Sequence, residues 1–349
     1  MNKVLGVKLK NFRCHENFTL NCEELTTLII GENGSGKTSL LEAIYLALRG
    51  KSFKGVDREI QQRGADFYRA EILLSESQKV IIRFDGAKKS FEIDGKKSLR
   101  LPKKNRYPVV LFEPDDLYLV GSSPSRRRDY FDEFFKQIDD AYGVALSKYT
   151  KALRQRNDLL KQEIVGADDL FSWNVMLAHY GTEVFHRRVE NLVKINNYLT
   201  DNYRNIAKNL DSCSLKYLGD KELSENKYME ILSRNFERDR ALGYTSYGIH
   251  RDDFEFIFND ESANGSASRG EVRSIILALK FIEAQILEKE LLKKPVVLLD
   301  DIFSELDDSR QKHLIGNFKD YQMIVTSTSA LDGIDGEIVR LWFVYKMRF

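Results

Sequence analysis

The sequence predicts an α/β fold whose sheet is made by the two ends of the chain, with a helical lobe inserted between them. Three observations predict it. The apolar strand TTLIIG, residues 26–31, runs into a glycine-rich turn and then an amphipathic helix. A second apolar strand, VVLLD, of the kind buried on both faces of a parallel sheet, comes only at residues 296–300. Between the two, from about residue 124 to residue 210, the apolar residues repeat at helical spacing.

The elements follow in order. KVLGVKLKNF and FTLNCEELTTLIIG read as short strands. The helix after the glycine turn has Leu40, Leu41, Ile44 and Leu48 on its apolar face. Residues 69–112 alternate like strands punctuated by Asp-Gly turns. SRRRDYFDEFFKQIDDAYGVALSKYTKALRQRNDLLKQ reads as one long helix, and residues 168–210 as another, with Gly166 as a break between them. Phe131, Phe134, Phe135, Trp173, Phe185 and Tyr198 are the expected core of this lobe. A strand at 213–219, a helix at 227–243, a strand-like SYGIHRDDFEFIFN, an apolar helix from Val272, and strands KPVVLLDD and QMIVTSTS complete the chain. The expected division is 1–122 for the N-terminal part of the core, 123–240 for the helical lobe, and 241–349 for the return to the core.

Composition narrows the function classes. The 349 residues are 31% charged with a net charge of +1, so no global basic field draws the protein to a polyanion. Cys14, Cys22 and Cys213 match neither zinc-ligand nor disulfide spacing, which predicts reduced thiols and a cytoplasmic location. No apolar run is long enough for a membrane span, and none is expected.

The chemistry is carried by two motifs. GENGSGKT, residues 31–38, has P-loop spacing: Gly31, Glu32, Asn33, Gly34, Ser35, Gly36, Lys37 and Thr38. Glycines let the backbone wrap a phosphate, helix N–H groups face it, Lys37 reaches the β- and γ-phosphates, and the Thr38 hydroxyl suits Mg²⁺. These residues predict ATP and Mg²⁺ as cofactors. The strand ending in Asp300 would bring a carboxylate that can hold Mg²⁺ through water, with Asp301 placed to polarise an attacking water. A whole lobe separates Lys37 from Asp300, which argues against a compact P-loop kinase. Ser268 and Glu271 have capping-box spacing at the start of the apolar helix. Residues 79–106 hold ten Lys or Arg against three acids. Lys88, Lys89, Lys96, Lys97, Lys103 and Lys104 of that stretch suit phosphate contacts without base reading, or protect sheet edges. Arg126, Arg127 and Arg128 have the same two readings: contact with DNA, or pairing with Asp129 and Asp132.

LKNFR, GENGSGKTSLLEAIYLAL, PDDLYLVGSSPSRRRDYFD, NFERDRALGYTSYGIHRDD, SRGE and LLDDIFSELDDSRQ together resemble the ABC/SMC ATPase superfamily and, within it, the bacterial RecF family of recombination mediators. The resemblance implies an ABC-type ATPase head that forms a homodimer when ATP binds. In that arrangement Ser268, Arg269, Gly270 and Glu271 occupy the signature loop, which faces the nucleotide on the partner's P-loop. Asp301 and Lys37 become the catalytic residues, Thr38 and Asp300 the metal ligands, and Ser304–Asp307 the loop that crosses the dimer interface. The family implies a weak, DNA-stimulated ATPase that binds double-stranded and gapped DNA and assists RecA loading, with RecR and the RecO/RecA pathway as partners. A transporter-type or chromosome-associated ABC ATPase is the rival reading. Two departures stand out. Broader heads usually place Glu where this chain has Asp301, whose shorter arm implies slow hydrolysis, and VTST stands where many carry a histidine, which leaves the turnover rate open. Glu113 or Asp115 stands in the place of a glutamine loop.

Overall fold

The computed structural model describes residues 3–220, 222–331 and 337–341. The end of the expected 241–349 segment lies outside them. The chain forms two compact units, one of residues 1–117 with 283–349 and one of Tyr118–Ile282.

The first unit begins with β1 (Val4–Phe12), β2 (His15–Asn21), β3 (Thr26–Gly31), α1 (Lys37–Arg49), α2 (Asp57–Ile60), β4 (Tyr68–Leu74), β5 (Lys79–Phe84), β6 (Lys89–Ile93), β7 (Lys96–Ser98) and β8 (Val109–Phe112). The second unit contributes α3 (Pro124–Ile138), α4 (Asp140–Leu160), α5 (Phe171–Ala207), β9 (Cys213–Leu218), α6 (Glu225–Arg234), α7 (Phe236–Leu242), β10 (Asp253–Phe258), β11 (Glu261–Ser262) and α8 (Ala263–Ser266). Then α9 (Arg269–Leu291) leads to β12 (Val296–Asp300), α10 (Asp308–Phe318), β13 (Gln322–Ser327) and β14 (Glu337–Leu341).

Two sheets make the first unit. One is an antiparallel sheet in the order β2-β1-β4-β5-β6-β7, and the other is parallel, in the order β14-β3-β13-β12-β8. Helix α1 contacts strands of both sheets. That double contact explains why Leu40 through Leu48 are all buried, a wider stripe than one apolar face would need. All five residues of β12 are buried, as its uniform apolar run requires.

The second unit differs from the sequence expectation in three ways. The first long helical pattern breaks into α3 and α4 at Asp139, which leaves helical geometry at φ −139°. Its carboxylate then caps α4 by accepting the N–H groups of Ala141 and Tyr142. The unit also continues past the expected boundary at 240 as far as Ile282, because β10 pairs antiparallel with β9 and Phe254 packs 4.5 Å from Phe131. Finally, Phe131, Phe134, Phe135 and Phe185 are core residues, but Tyr198 is exposed and Trp173 half-buried.

Candidate nucleotide site

Strand β3 delivers the chain at Gly31 to a turn that needs left-handed backbone, with φ 81° at Gly34 and 95° at Gly36. Gly36 meets a second constraint. A Cβ there would lie 2.5 Å from both Cys14 Sγ and His15 Nε2. His15 Nε2 sits 3.1 Å from the Gly36 carbonyl, and burial lowers its pKa, so the β1–β2 turn is locked onto the loop by a neutral ring. Lys37 opens α1 and is buried; its ammonium donates to the carbonyls of Gly31 at 2.6 Å and Glu32 at 2.9 Å. The lysine therefore folds back on its own loop, and a phosphate would have to draw it off.

The two carboxylates arrive from β12. Asp300 is 5% exposed, and its Oδ1 accepts the hydroxyls of Thr38 at 2.9 Å and Thr326 at 2.8 Å. Asp301 takes a left-handed φ of 51°, and its N–H donates to Thr326 Oγ1 at 3.0 Å. Thr326 of VTST thus holds both aspartates. Burial raises the Asp301 pKa above the usual aspartate range; Lys37 opposes the rise, and Asp300 and Glu305 add to it. Asp301 Oδ1 is buried with no hydrogen-bond partner. Thr38 and Asp300 offer hard oxygens that fit Mg²⁺ as direct or water-mediated ligands, and the orphaned Asp301 oxygen is left to accept from a water.

A cavity of about 810 Å³ opens over this loop, lined by Asn33, Gly34 and Gly36 through Ser39, with Asp301 at one wall. Its other walls went unread in the sequence. Arg13, in a left-handed conformation, donates from Nε and NH2 to both oxygens of the fully buried Glu42 of α1, at 2.8 and 2.7 Å. Lys54 lies 4.0 Å from Asp300 Oδ2. Its loop is pinned by Ser52, whose Oγ accepts the N–H groups of Lys54 and Gly55 and donates to Glu42. The Arg in LKNFR and the Lys in KSFKG were the available signals, but nothing in their spacing joined them to the P-loop.

The remaining expected residues are placed as follows. Ser268 and Glu271 form the capping box: Ser268 N–H donates to Glu271 Oε2 at 2.6 Å and Glu271 N–H to Ser268 Oγ at 3.4 Å. Ser268 and Arg269 are exposed, and Gly270 and Glu271 half-buried. Ser304 donates to the Asp301 carbonyl at 2.8 Å, and Asp307 caps α10. Glu113 directly follows β8, next to β12 in the sheet, whereas Asp115 is exposed. Lys88, Lys96, Lys97, Lys103 and Lys104 are exposed, Lys96 and Lys97 on the edge strand β7. Lys89 is instead held 3.0 Å from Asp57. Two of the three arginines hold partners other than Asp129 and Asp132. Arg127 forms a bidentate pair with Asp253, Arg128 donates to the Asp252 carbonyl at 2.6 Å, and Asp132 is taken by the buried Arg188 at 2.8 Å.

A parallel sheet, a P-loop entering its buried helix, and paired aspartates on a strand distant in sequence define an ABC-type ATPase head. A family model for the AAA ATPase domain matches residues 3–237. The DNA replication and repair protein RecF of Natranaerobius thermophilus is 34% identical over 96% of this chain and 93% of its own, and that of Bacillus cytotoxicus 33% identical over 97% and 94%. A solved structure of the recombination mediator protein RecF of the RecFOR pathway, in its RecF-ATP form, superposes with a TM-score of 0.88 at 29% identity, over 98% of this chain and 96% of that one. The Smc head of Pyrococcus furiosus shares the fold alone, at a TM-score of 0.52 and 18% identity over 94% of this chain and 90% of that one. The chain belongs to the RecF family.

Proposed function

We propose that the protein is an ATP-dependent DNA-binding ATPase of replication and repair, in which nucleotide controls a homodimer that clamps duplex or gapped DNA and assists RecA loading. The observation that carries this reading is the contact between the two motifs. Thr38 and Asp300 share a 2.9 Å hydrogen bond, with an unpartnered Asp301 oxygen beside them over the P-loop cavity.

Those contacts support the following steps. Lys37, whose ammonium rests on the Gly31 and Glu32 carbonyls, would turn from them to the γ-phosphate. Thr38 and Asp300, which share a hydrogen bond here, are the residues that would hold Mg²⁺, and the ion would supply charge neutralisation on the phosphates. Asp301 accepts a hydrogen bond from the attacking water and orients it. Its short arm favours slow turnover, so that ATP acts as a timer. The Ser268–Glu271 segment binds the γ-phosphate on the other protomer through its hydroxyl and helix N-terminus. Identity to RecF proteins over nearly the whole chain supports the RecR partnership and the role at gaps.

Titration with a fluorescent ATP analogue tests the site. Lys37→Met is expected to abolish binding and nucleotide-driven dimerisation together; retained affinity would refute the P-loop assignment.

A further inference from the structure

The parallel sheet ends in a second recess. It lies at the N-terminal starts of β8 and β12, the strand ends opposite Asp300, and has a volume of about 610 Å³. Its floor is apolar: Tyr107, Pro108 and Val296. The Tyr107 ring is fixed, with its N–H on the Leu48 carbonyl at 3.0 Å and its hydroxyl on Gln78. The rim is cationic. Lys289 and Lys293 are exposed, and Lys293 rides 5.5 Å from the Tyr107 ring. Lys294 sits 5.6 Å from the Tyr321 ring and donates to the Asp320 carbonyl at 3.0 Å. The one carboxylate of the lining, Glu288, accepts the Tyr321 hydroxyl at 2.7 Å.

Leu292 is the unusual residue of this recess. It follows the last residue of α9, where glycine is the common left-handed terminator, yet it is a leucine with φ 52° and 90% exposure. Folding alone gains nothing from this choice, because a left-handed leucine is strained and its side chain is left in water. Backbone strain of this kind collects at functional sites.

We infer that this recess docks an acidic peptide segment carrying apolar side chains. The apolar groups lie against Tyr107, Pro108 and Leu292, and the carboxylates on Lys289, Lys293 and Lys294. Charge complementarity and the apolar floor together select this occupant. A nucleic-acid backbone would use the lysines but leave the floor and Leu292 without a role. A recess of this size accommodates two or three side chains. The inference stands apart from the nucleotide reading, which concerns the other end of the sheet.

Fluorescence anisotropy on the full chain tests it, with a labelled peptide amide of four acidic residues followed by leucine and phenylalanine. The wild type is expected to bind at micromolar concentration. Leu292→Asp and Lys293→Glu should each weaken binding about tenfold or more, as should replacing both apolar residues of the peptide by serine. Duplex DNA should not displace the peptide. Leu292→Gly covers the case in which the charged variants fold poorly: it is expected to melt higher than the wild type and bind the peptide less well. Failure of the wild type to bind, equal binding by Leu292→Gly, equal binding of the serine peptide, or displacement by duplex would each overturn the inference.

Discussion

Replacing Gly36 by alanine tests the phosphate loop where two constraints meet. The backbone at φ 95° is strained for any L-residue, by about 1–2 kcal/mol. The new methyl would also lie 2.5 Å from Cys14 Sγ and His15 Nε2 and 2.7 Å from His15 Cε1, against normal carbon contacts of about 3.5–4.0 Å. His15 cannot step aside freely, since it is 8% exposed, its ring is 4.9 Å from Phe18, and it is bonded to the Gly36 carbonyl. Forcing it out adds an overpacking cost of about 1–3 kcal/mol. The total, roughly 2–5 kcal/mol, can be separated with an internal control. Gly95 has φ 81° and nothing within 4 Å of a built Cβ, so Gly95→Ala should lose only the backbone part, about 1–2 kcal/mol. Urea unfolding measures both variants, and titration with a fluorescent ATP analogue measures the loop. Gly36→Ala should be the less stable of the two and alone should lose nucleotide affinity. Equal stability and unchanged affinity in both would refute the argument that the β1–β2 turn fixes the loop.

Other expectations rest on different residues. Asp301→Asn should bind ATP normally and turn over at least a hundredfold more slowly, roughly the scale of a lost general base; wild-type hydrolysis should fall as pH drops through the raised Asp301 pKa, a limb that any residual activity of the variant should lack. In the second unit, burial lowers the His250 pKa to about 4 while Nδ1 stays 2.7 Å from the Tyr149 hydroxyl. A neutral, half-buried histidine contributes stability that is fully present above its unfolded pKa near 6.5, and that stability, about 3 kcal/mol, is lost as pH falls toward 4. Denaturant unfolding of His250→Asn should therefore show a flatter acid dependence between pH 6.5 and 4 than the wild type. Neutralising Lys88, Lys96, Lys97 and Lys104 together should weaken duplex binding and flatten its salt dependence; an unchanged salt slope would leave those lysines as edge protection alone.

What was legible in the sequence was what is contiguous in it. The P-loop and the VVLLDD strand each carry their chemistry within one short segment, so type and spacing sufficed. The walls of the cavity were not legible. Arg13 reaches it because its guanidinium is held by Glu42 of α1, and Lys54 because Ser52 ties its loop to the same carboxylate. Pairing across distant segments is likewise invisible to spacing: Arg127 finds Asp253, not its near neighbour Asp129. The break at Asp139 was hidden because the apolar spacing continues through it, while a carboxylate that caps one helix also ends the one before. The capping box at Ser268 was read correctly from four residues, yet the same geometry serves a helix start and a phosphate site alike.

Sedimentation velocity with and without ATP, on the wild type and Ser268→Arg, tests the central claim most directly. A segment that only starts a helix would lose about 1 kcal/mol of stability and leave assembly unchanged. A segment that completes the partner's nucleotide site gives a different pattern. The wild type should shift from monomer to dimer with ATP, and Ser268→Arg should bind ATP as a monomer but fail to dimerise. An ATP-driven dimer that survives Ser268→Arg, or a wild type that stays monomeric at saturating ATP, would contradict the account.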